Sequence, residues 1–246
     1  MKKVLKKIEP ISLYNDGIGF VEYVDHMGSD LTIVNAARVS RSNENKKKEL
    51  DEKDEKLIRF LIKNKHTSPF EHNIITFRFC VPLFIRSQHH RHRTWSFNEI
   101  SRRYTDVDIK FYEPELFRTQ HKKNRQASNM DDLINPYMNQ GRRTLLPIKS
   151  NTASQVVINH NLISLNLYKK LLENGVCREQ ARMVLPQSLY TKYYGTIDLH
   201  NLIKFISLRT ASDSQWEIQQ VGFACKSIAN KLYPTTMKCF NELLQK

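Results

Sequence analysis

Apolar residues recur with two different periods along this chain. From Ile75 to Val81 the period is two: Ile75, Phe77, Phe79 and Val81 alternate with Thr76, Arg78 and Cys80. That pattern predicts a strand with one side in the core, closed by Pro82, which also suits the opening of a helix. Elsewhere the spacing is helical. Leu57, Ile58, Leu61 and Ile62 predict a helix over 53–64. Ile218, Val221, Cys225, Ile228 and Leu232 step by 3, 4, 3 and 4, a single stripe on a helix from Ser214 to about Leu232. Ser214 and Glu217 have the spacing of a capping box. Further helices are predicted near Asp30 to Arg38, from about Thr152 to Leu172, from Arg178 to a stop at Pro186, and over Leu199 to Arg209 with Asp198 as its cap. Residues 12–40 otherwise read as short strands and turns, 41–52 as a lysine-rich loop, and 114–150 as a polar surface insertion without a period. Strands and helices are segregated, which predicts an α+β fold over a doubly wound sheet. No repeat or Gly/Ser linker divides the chain, so one domain over 1–246 is expected.

Charge adds to this picture. The 246 residues carry 39 Lys and Arg against 25 Asp and Glu, a net +14, which favours anionic partners. Part of that excess is a solvated run, Lys46 to Lys48. No stretch reaches the roughly 18 to 20 apolar residues of a membrane helix, and the start MKKVLKKIEPISLYNDG lacks a signal-peptide core; a cytoplasmic location is expected. Cys80, Cys177, Cys225 and Cys239 form no CxxC motif, so reduced, mostly buried thiols are expected. With seven glycines there is neither GxGxxG nor GxxxxGK[ST]. Any nucleotide must be held by side chains and helix ends.

Chemistry concentrates between Gln88 and Tyr104, in QHHRHRTWSFNEISRRY. The stretch admits three readings: a solvated basic face, a metal site on His89, His90 and His92, or recognition of phosphate and planar rings. Trp95, Phe97 and Ile100, interleaved with the charges, call for packing on one side. Adjacent histidines diverge and the flanking arginines repel a cation, so no metal is expected. Arginine forks with Ser101 and Gln88 suit phosphate oxygens and base edges.

Arg91 to Arg103, RHRTWSFNEISRR, fits RHRxxSxNxxSxR at all seven fixed positions. This closely resembles the signature of the flavin-dependent thymidylate synthases, the ThyX family. His66-Thr67-Ser68-Pro69-Phe70-Glu71-His72 resembles the family's segment before the strand leading to the signature. Arg178 to Pro186, REQARMVLP, resembles its substrate-binding helix, and Leu208-Arg209 with Gln215 to Ile218 resembles its late motif. The resemblance covers roughly 18–110 and 152–235 and leaves 114–150 outside.

The resemblance implies a mostly antiparallel sheet flanked by helices, assembled as an intertwined homotetramer whose active sites combine side chains from several subunits. It implies conversion of dUMP to dTMP, with carbon from methylenetetrahydrofolate and reducing equivalents from NADPH through bound FAD. It places Gln88, Arg91, Glu99, Ser101, Arg103, Arg182 and Arg209 at dUMP, Ser101 and Arg103 near the phosphate and Arg209 at the uracil ring, where a fixed cation favours ionisation of the ring. It places Ser68, Arg91, His92, Arg93 and Glu99 at FAD, with Asp198, His200 and Lys204 where many members carry Asn, Arg and Asn. His66 reads equally as a stacking partner or a structural histidine. No cysteine nucleophile is implied. The rival reading from another class is an RNA- or DNA-binding module that uses Arg91 to Arg103 as a phosphate stripe with Trp95 and Phe97 stacking on bases; on the ThyX reading no nucleic acid is expected.

Overall fold

The computed structural model describes residues 8–39, 48–138 and 151–244; Lys46, Lys47 and the end of the 114–150 segment lie outside them. In chain order the elements are β1 (Ile11–Ser12), β2 (Phe20–Met27), α1 (Asp30–Val39), α2 (Glu52–Lys63), a 3-10 turn (Ser68–His72), β3 (Ile74–Pro82), α3 (Leu83–His89) and β4 (Ser96–Glu99). There follow β5 (Phe117–Gln120), β6 (Ser128–Ile134), β7 (Tyr137–Met138), β8 (Asn151–Thr152), α4 (Ala153–Glu173), α5 (Arg178–Ala181), a second 3-10 turn (Arg182–Val184), β9 (Tyr190–Asp198), α6 (Leu199–Arg209), α7 (Trp216–Leu232) and α8 (Pro234–Leu244). The main sheet has the order β1-β2-β3-β9-β4. The β1–β2 and β2–β3 pairs are antiparallel, with Glu22 opposite Arg78 and ion-paired to it. The fold is α+β, as expected.

The chain forms two compact units. The first holds residues up to Cys80, His89–Asn98 and Tyr193 onward; the second holds Val81–Gln88 and Glu99–Lys192. In the first, α6 packs on α7, α2 on α8, and α1 on the 3-10 turn. The predicted α7 stripe is buried along its whole length. The alternation in β3 holds for Thr76 and Arg78, which are half-buried, but Cys80 is buried as fully as Phe79, because both faces are covered at the end of the strand. In the second unit Tyr168, Ala181, Leu185 and Leu189 form a core that gathers Leu83, Ile109, Phe111 and Leu172.

Several boundaries differ from the pattern reading. α7 starts at Trp216, with Gln215 as N-cap and no side-chain cap. The Ser214 amide is taken up by the Ala211 carbonyl in the preceding turn, and its hydroxyl is buried without a partner among the described residues. Glu217 accepts from Gln215 Nε2 instead, so the capping box does not form. The segment from 178 to 186 is one α-helical turn and one 3-10 turn rather than a continuous helix. The region 114–138 is not structureless: β5 and β6 form a hairpin, its turn held by Gln120 Nε2 donating to the carbonyls of Asn124, Arg125 and Ala127. β9 and α8 were not legible from the pattern.

α8 owes its start to a residue two hundred positions away. Asp30, 4% exposed, accepts from the amides of Thr235 and Thr236, both at 2.9 Å, and from Thr236 Oγ1 at 2.6 Å. The carboxylate thereby caps a helix whose own sequence opens on proline. Asp30→Ala leaves these buried donors unpaired and should cost about 2 kcal/mol in urea denaturation; Asp30→Asn, which keeps an acceptor, should cost less.

Candidate active site

In the first unit, α3 ends at His89 and the chain turns, with the His92 amide bonded to the His89 carbonyl at 3.0 Å. The turn sends alternate signature residues inward and outward. His89 and Trp95 are buried, His92 is half-buried, and Arg91 and Arg93 are exposed.

His89 stands inside a cage of rings. Phe79, Trp95, Phe97 and Phe205 have centroids 4.9, 4.6, 5.2 and 4.8 Å from its own, and Nδ1 is 2.9 Å from the Tyr193 hydroxyl. Its Nε2 is buried without a partner among the described residues. Burial first, then the charges of His92, His90 and Arg209, hold its pKa well below the usual histidine value. Gly195 on β9 makes room for the cage; a Cβ there would lie 2.9 Å from the Phe79 ring. Trp95, 6% exposed, is therefore a core residue and is not offered to a nucleic-acid base. Ile100 points elsewhere, into the cavity described below.

His92 reaches the last residue of α6. Arg209 Nε donates to His92 Nε2 at 2.9 Å. An imidazole accepts there only when neutral and protonated on Nδ1. Burial, then Arg209, lowers the His92 pKa to about 4, and burial lowers that of Arg209. Gly222 lets α7 approach: a Cβ at that position would lie 3.1 Å from Arg209 Cβ. Among the described residues the terminal guanidinium nitrogens of Arg209 make no hydrogen bond, so the fork is available.

The other residues assigned to FAD by resemblance also lie in this unit, Glu99 excepted. Ser68 opens the 3-10 turn that packs on α6 and is exposed. Asp198 caps α6, accepting from Asn201 N at 2.9 Å and Asn201 Nδ2 at 2.7 Å. Its charge thus serves the helix. His200 and Lys204 share a face one turn apart; burial, then Lys204, lowers the His200 pKa against the pull of Asp198 and Glu71. His66 is exposed and edge-on to Phe60.

The second unit contains a cavity of about 250 Å³ lined by Leu83, Arg86, Glu99, Ile100, Ser101, Arg102, Arg182, Leu185, Leu189 and Thr191. Three residues assigned to dUMP, Glu99, Ser101 and Arg182, meet there. Gln88 and Arg103 belong to the same unit but not to this lining, while Arg91 and Arg209 belong to the first unit. Gln88 Oε1 is buried without a donor among the described residues. Arg103 lies exposed over the Tyr104 ring. Ser101 Oγ accepts from the Arg103 amide at 3.3 Å and meets no base among the described residues, so nothing there activates it as a nucleophile. Arg86, Arg102 and Thr191 were not found by sequence reasoning. Arg102, its pKa lowered by burial, donates to the carbonyls of Val107 and Asp108 at 2.7 and 3.3 Å and so holds the loop after the signature.

The buried histidines give stability a definite pH dependence. In the unfolded chain both titrate near 6.5; in the folded protein His92 takes a proton only near 4, and His89 only well below 6.5. Between those values the unfolded state binds more protons, so stability is fully present above about pH 6.5 and falls as pH drops toward 4. The urea midpoint should be lower at pH 5 than at pH 7, and His92→Asn should flatten that slope. A wild-type midpoint that is the same at both pH values contradicts the assignment.

Comparison with known proteins matches residues 22–235 to the family described as thymidylate synthase complementing protein. That span includes the 114–150 segment that the sequence reading left outside. The chain is 42% identical over 226 residues to the flavin-dependent thymidylate synthase of Thermus thermophilus, covering 92% of this chain and 77% of that one. It is 40% identical over 222 residues to the enzyme of the same name from Thermotoga neapolitana, covering 90% of each. Among solved structures it resembles the UMP/dUMP methylase PolB of Streptomyces cacaoi bound with 5-Br dUMP, with a TM-score of 0.75, 34% identity, and 94% and 97% of the two chains covered. With the signature in place, Arg209 and His92 joined, and this extent of similarity, the chain belongs to the flavin-dependent thymidylate synthase family.

Proposed function

We propose that this protein converts dUMP to dTMP, taking carbon from methylenetetrahydrofolate and reducing equivalents from NADPH, with FAD as cofactor. The observation that carries the reading is the Arg209 guanidinium, half-buried, held through Nε by a neutral histidine of the signature. A fork fixed on one side presents its remaining donors to a planar anionic ring without reorganising.

The donor set fits FAD. Arg91 and Arg93 are exposed and form no ion pair among the described residues, and Lys204 and His200 line one face of α6. Together these cations and donors suit a dinucleotide's two phosphates. FAD supplies the redox chemistry when bound. The protein's part is to hold and polarise. Arg209 stabilises negative charge on the uracil ring. Ser101, Arg103 and Arg182 bind the phosphate of dUMP, Gln88 and Arg91 complete its site, and Glu99 accepts from the nucleotide and serves FAD as well. Ser68, Arg91, His92 and Arg93 contact FAD, and Asp198, His200 and Lys204 flank it at the start of α6. The reading includes a cytoplasmic homotetramer with shared active sites. It is supported by Leu162, Ile163 and Leu167 on α4, which are 52, 44 and 45% exposed in the single chain, and by the fact that no helix among the described residues is long and apolar enough to cross a membrane.

The purified protein should show flavin absorbance, or gain it on adding FAD with a rise in melting temperature. It should form dTMP from dUMP only with methylenetetrahydrofolate and NADPH. Arg209→Lys keeps the charge but loses the planar fork; turnover should fall by about a hundred-fold or more while FAD remains bound. Loss of FAD in that variant would move Arg209 into the cofactor site. No cysteine is the nucleophile. Cys80, Cys225 and Cys239 are buried, and burial raises the Cys225 and Cys239 pKa values, so they lack thiolate character. Cys177 is exposed, its Sγ 3.8 Å from Gln180 Oε1. Cys177→Ser should therefore retain turnover; abolished turnover with dUMP and FAD still bound would require a covalent route.

A further inference from the structure

The carboxylate of Glu99 is held in the cavity by only one of its oxygens. Thr191 Oγ1 donates to Oε1 at 2.7 Å, and Arg86 Nε donates to the same atom at 3.0 Å. Among the described residues Oε2 meets no donor. Both anchors are themselves fixed. Thr191 is 4% exposed on β9, where the neighbouring Lys192 carbonyl takes the Ile100 amide at 3.0 Å and so ties the residue after Glu99 to the strand. Arg86 lies on α3, whose first turn is bound to the 187–189 segment through Leu83 N to Leu189 O and Phe84 N to Gln187 O.

We infer that Thr191 and Arg86 are positioning residues for Glu99: they saturate Oε1 and present Oε2 to the ligand as a single, oriented acceptor. This rests on the proposed function, in which Glu99 faces dUMP. A carboxylate on an unrestrained side chain swings between rotamers and pairs with whichever cation is near. Arg182 and Arg102 line the same cavity and are such cations. Anchoring Oε1 leaves the terminal nitrogens of Arg182 for an anionic group, while Arg102 stays on the Val107 and Asp108 carbonyls, and reserves Oε2 for a hydrogen donor of the ligand. The division of labour is chemically sound: a threonine hydroxyl supplies one donor without charge, and the Arg86 charge offsets that of the carboxylate at a site otherwise set up for an anion. The cavity thus selects a ligand that combines an anion with a hydrogen-bond donor at a fixed separation.

The test measures dUMP binding to the FAD-loaded protein by calorimetry. Thr191→Val removes the hydroxyl with little change of shape, and should weaken dUMP about ten-fold in protein that still carries FAD. Thr191→Ser, which restores the donor, should return binding to within about two-fold of wild type. The decisive arm uses a Glu99→Ala background, where Thr191→Val should have no further effect. The same logic applies to Arg86→Met, which covers the case in which Thr191→Val does not fold. Wild-type affinity in Thr191→Val and Arg86→Met overturns the inference. So does an equal loss in the Glu99→Ala background, which would mean that these residues touch dUMP directly or act through the fold. Wild-type protein that binds FAD but not dUMP would instead overturn the proposed function, and this inference with it.

Discussion

An arginine can sit half-buried beside two histidines only if the histidines carry no charge. Much of the first unit follows from meeting that condition. His89 is neutral because aromatic rings exclude water from it and a tyrosine hydroxyl takes up Nδ1. His92 is neutral because it is half-buried and faces a guanidinium. Phe205 on α6 touches both rings, with centroids 4.8 and 4.9 Å away, and Arg209 is one helical turn further along the same helix. The aromatic cage is therefore more than packing. It sets the protonation state that allows the signature turn and the end of α6 to meet, and among the described residues it leaves the terminal guanidinium nitrogens of Arg209 without a hydrogen bond. The consequence is acid sensitivity, since protonating either ring would set like charges side by side in a poorly solvated place.

The second unit solves the complementary problem of keeping one carboxylate among several arginines while confining its ion pair to Arg86 through Oε1. Glu99 is tethered by Arg86 and Thr191, and Arg102 is occupied by backbone carbonyls. Arg182 donates through Nε to its own helix turn at Glu179, and among the described residues its terminal nitrogens make no hydrogen bond. That guanidinium, with Ser101, makes a surface for an anion. In both units the same device recurs: one edge of a charged group is fixed by the protein and the other is left for a ligand.

Much of this was legible in the sequence because it is local. The α7 stripe, the β3 alternation, the Asp198 cap and the seven signature positions all depend on spacings of a few residues. What was illegible is long-range. The α8 cap comes from Asp30, and nothing near Pro234 announces it. β9 hides its alternation because its buried face, Thr191, Tyr193, Gly195 and Ile197, mixes polar and small residues, the first three matched by what lies opposite: Glu99, His89 and the Phe79 ring. Arg86 and Thr191 carry no motif, and their role exists only where α3, β4 and β9 converge. Ser214 failed as a cap for the opposite reason. The local signal was present, but the helix begins at Trp216 with Gln215 in the cap position, and the Ser214 amide belongs to the preceding turn.

The central claim, a neutral His92 accepting from Arg209, can be read directly from nitrogen-15 chemical shifts of the histidine rings in the FAD-free protein at pH 7. The account predicts a His92 resonance with Nδ1 protonated and Nε2 bare, lost or shifted in Arg209→Ala. A His92 ring protonated on both nitrogens, or carrying its proton on Nε2, would contradict it.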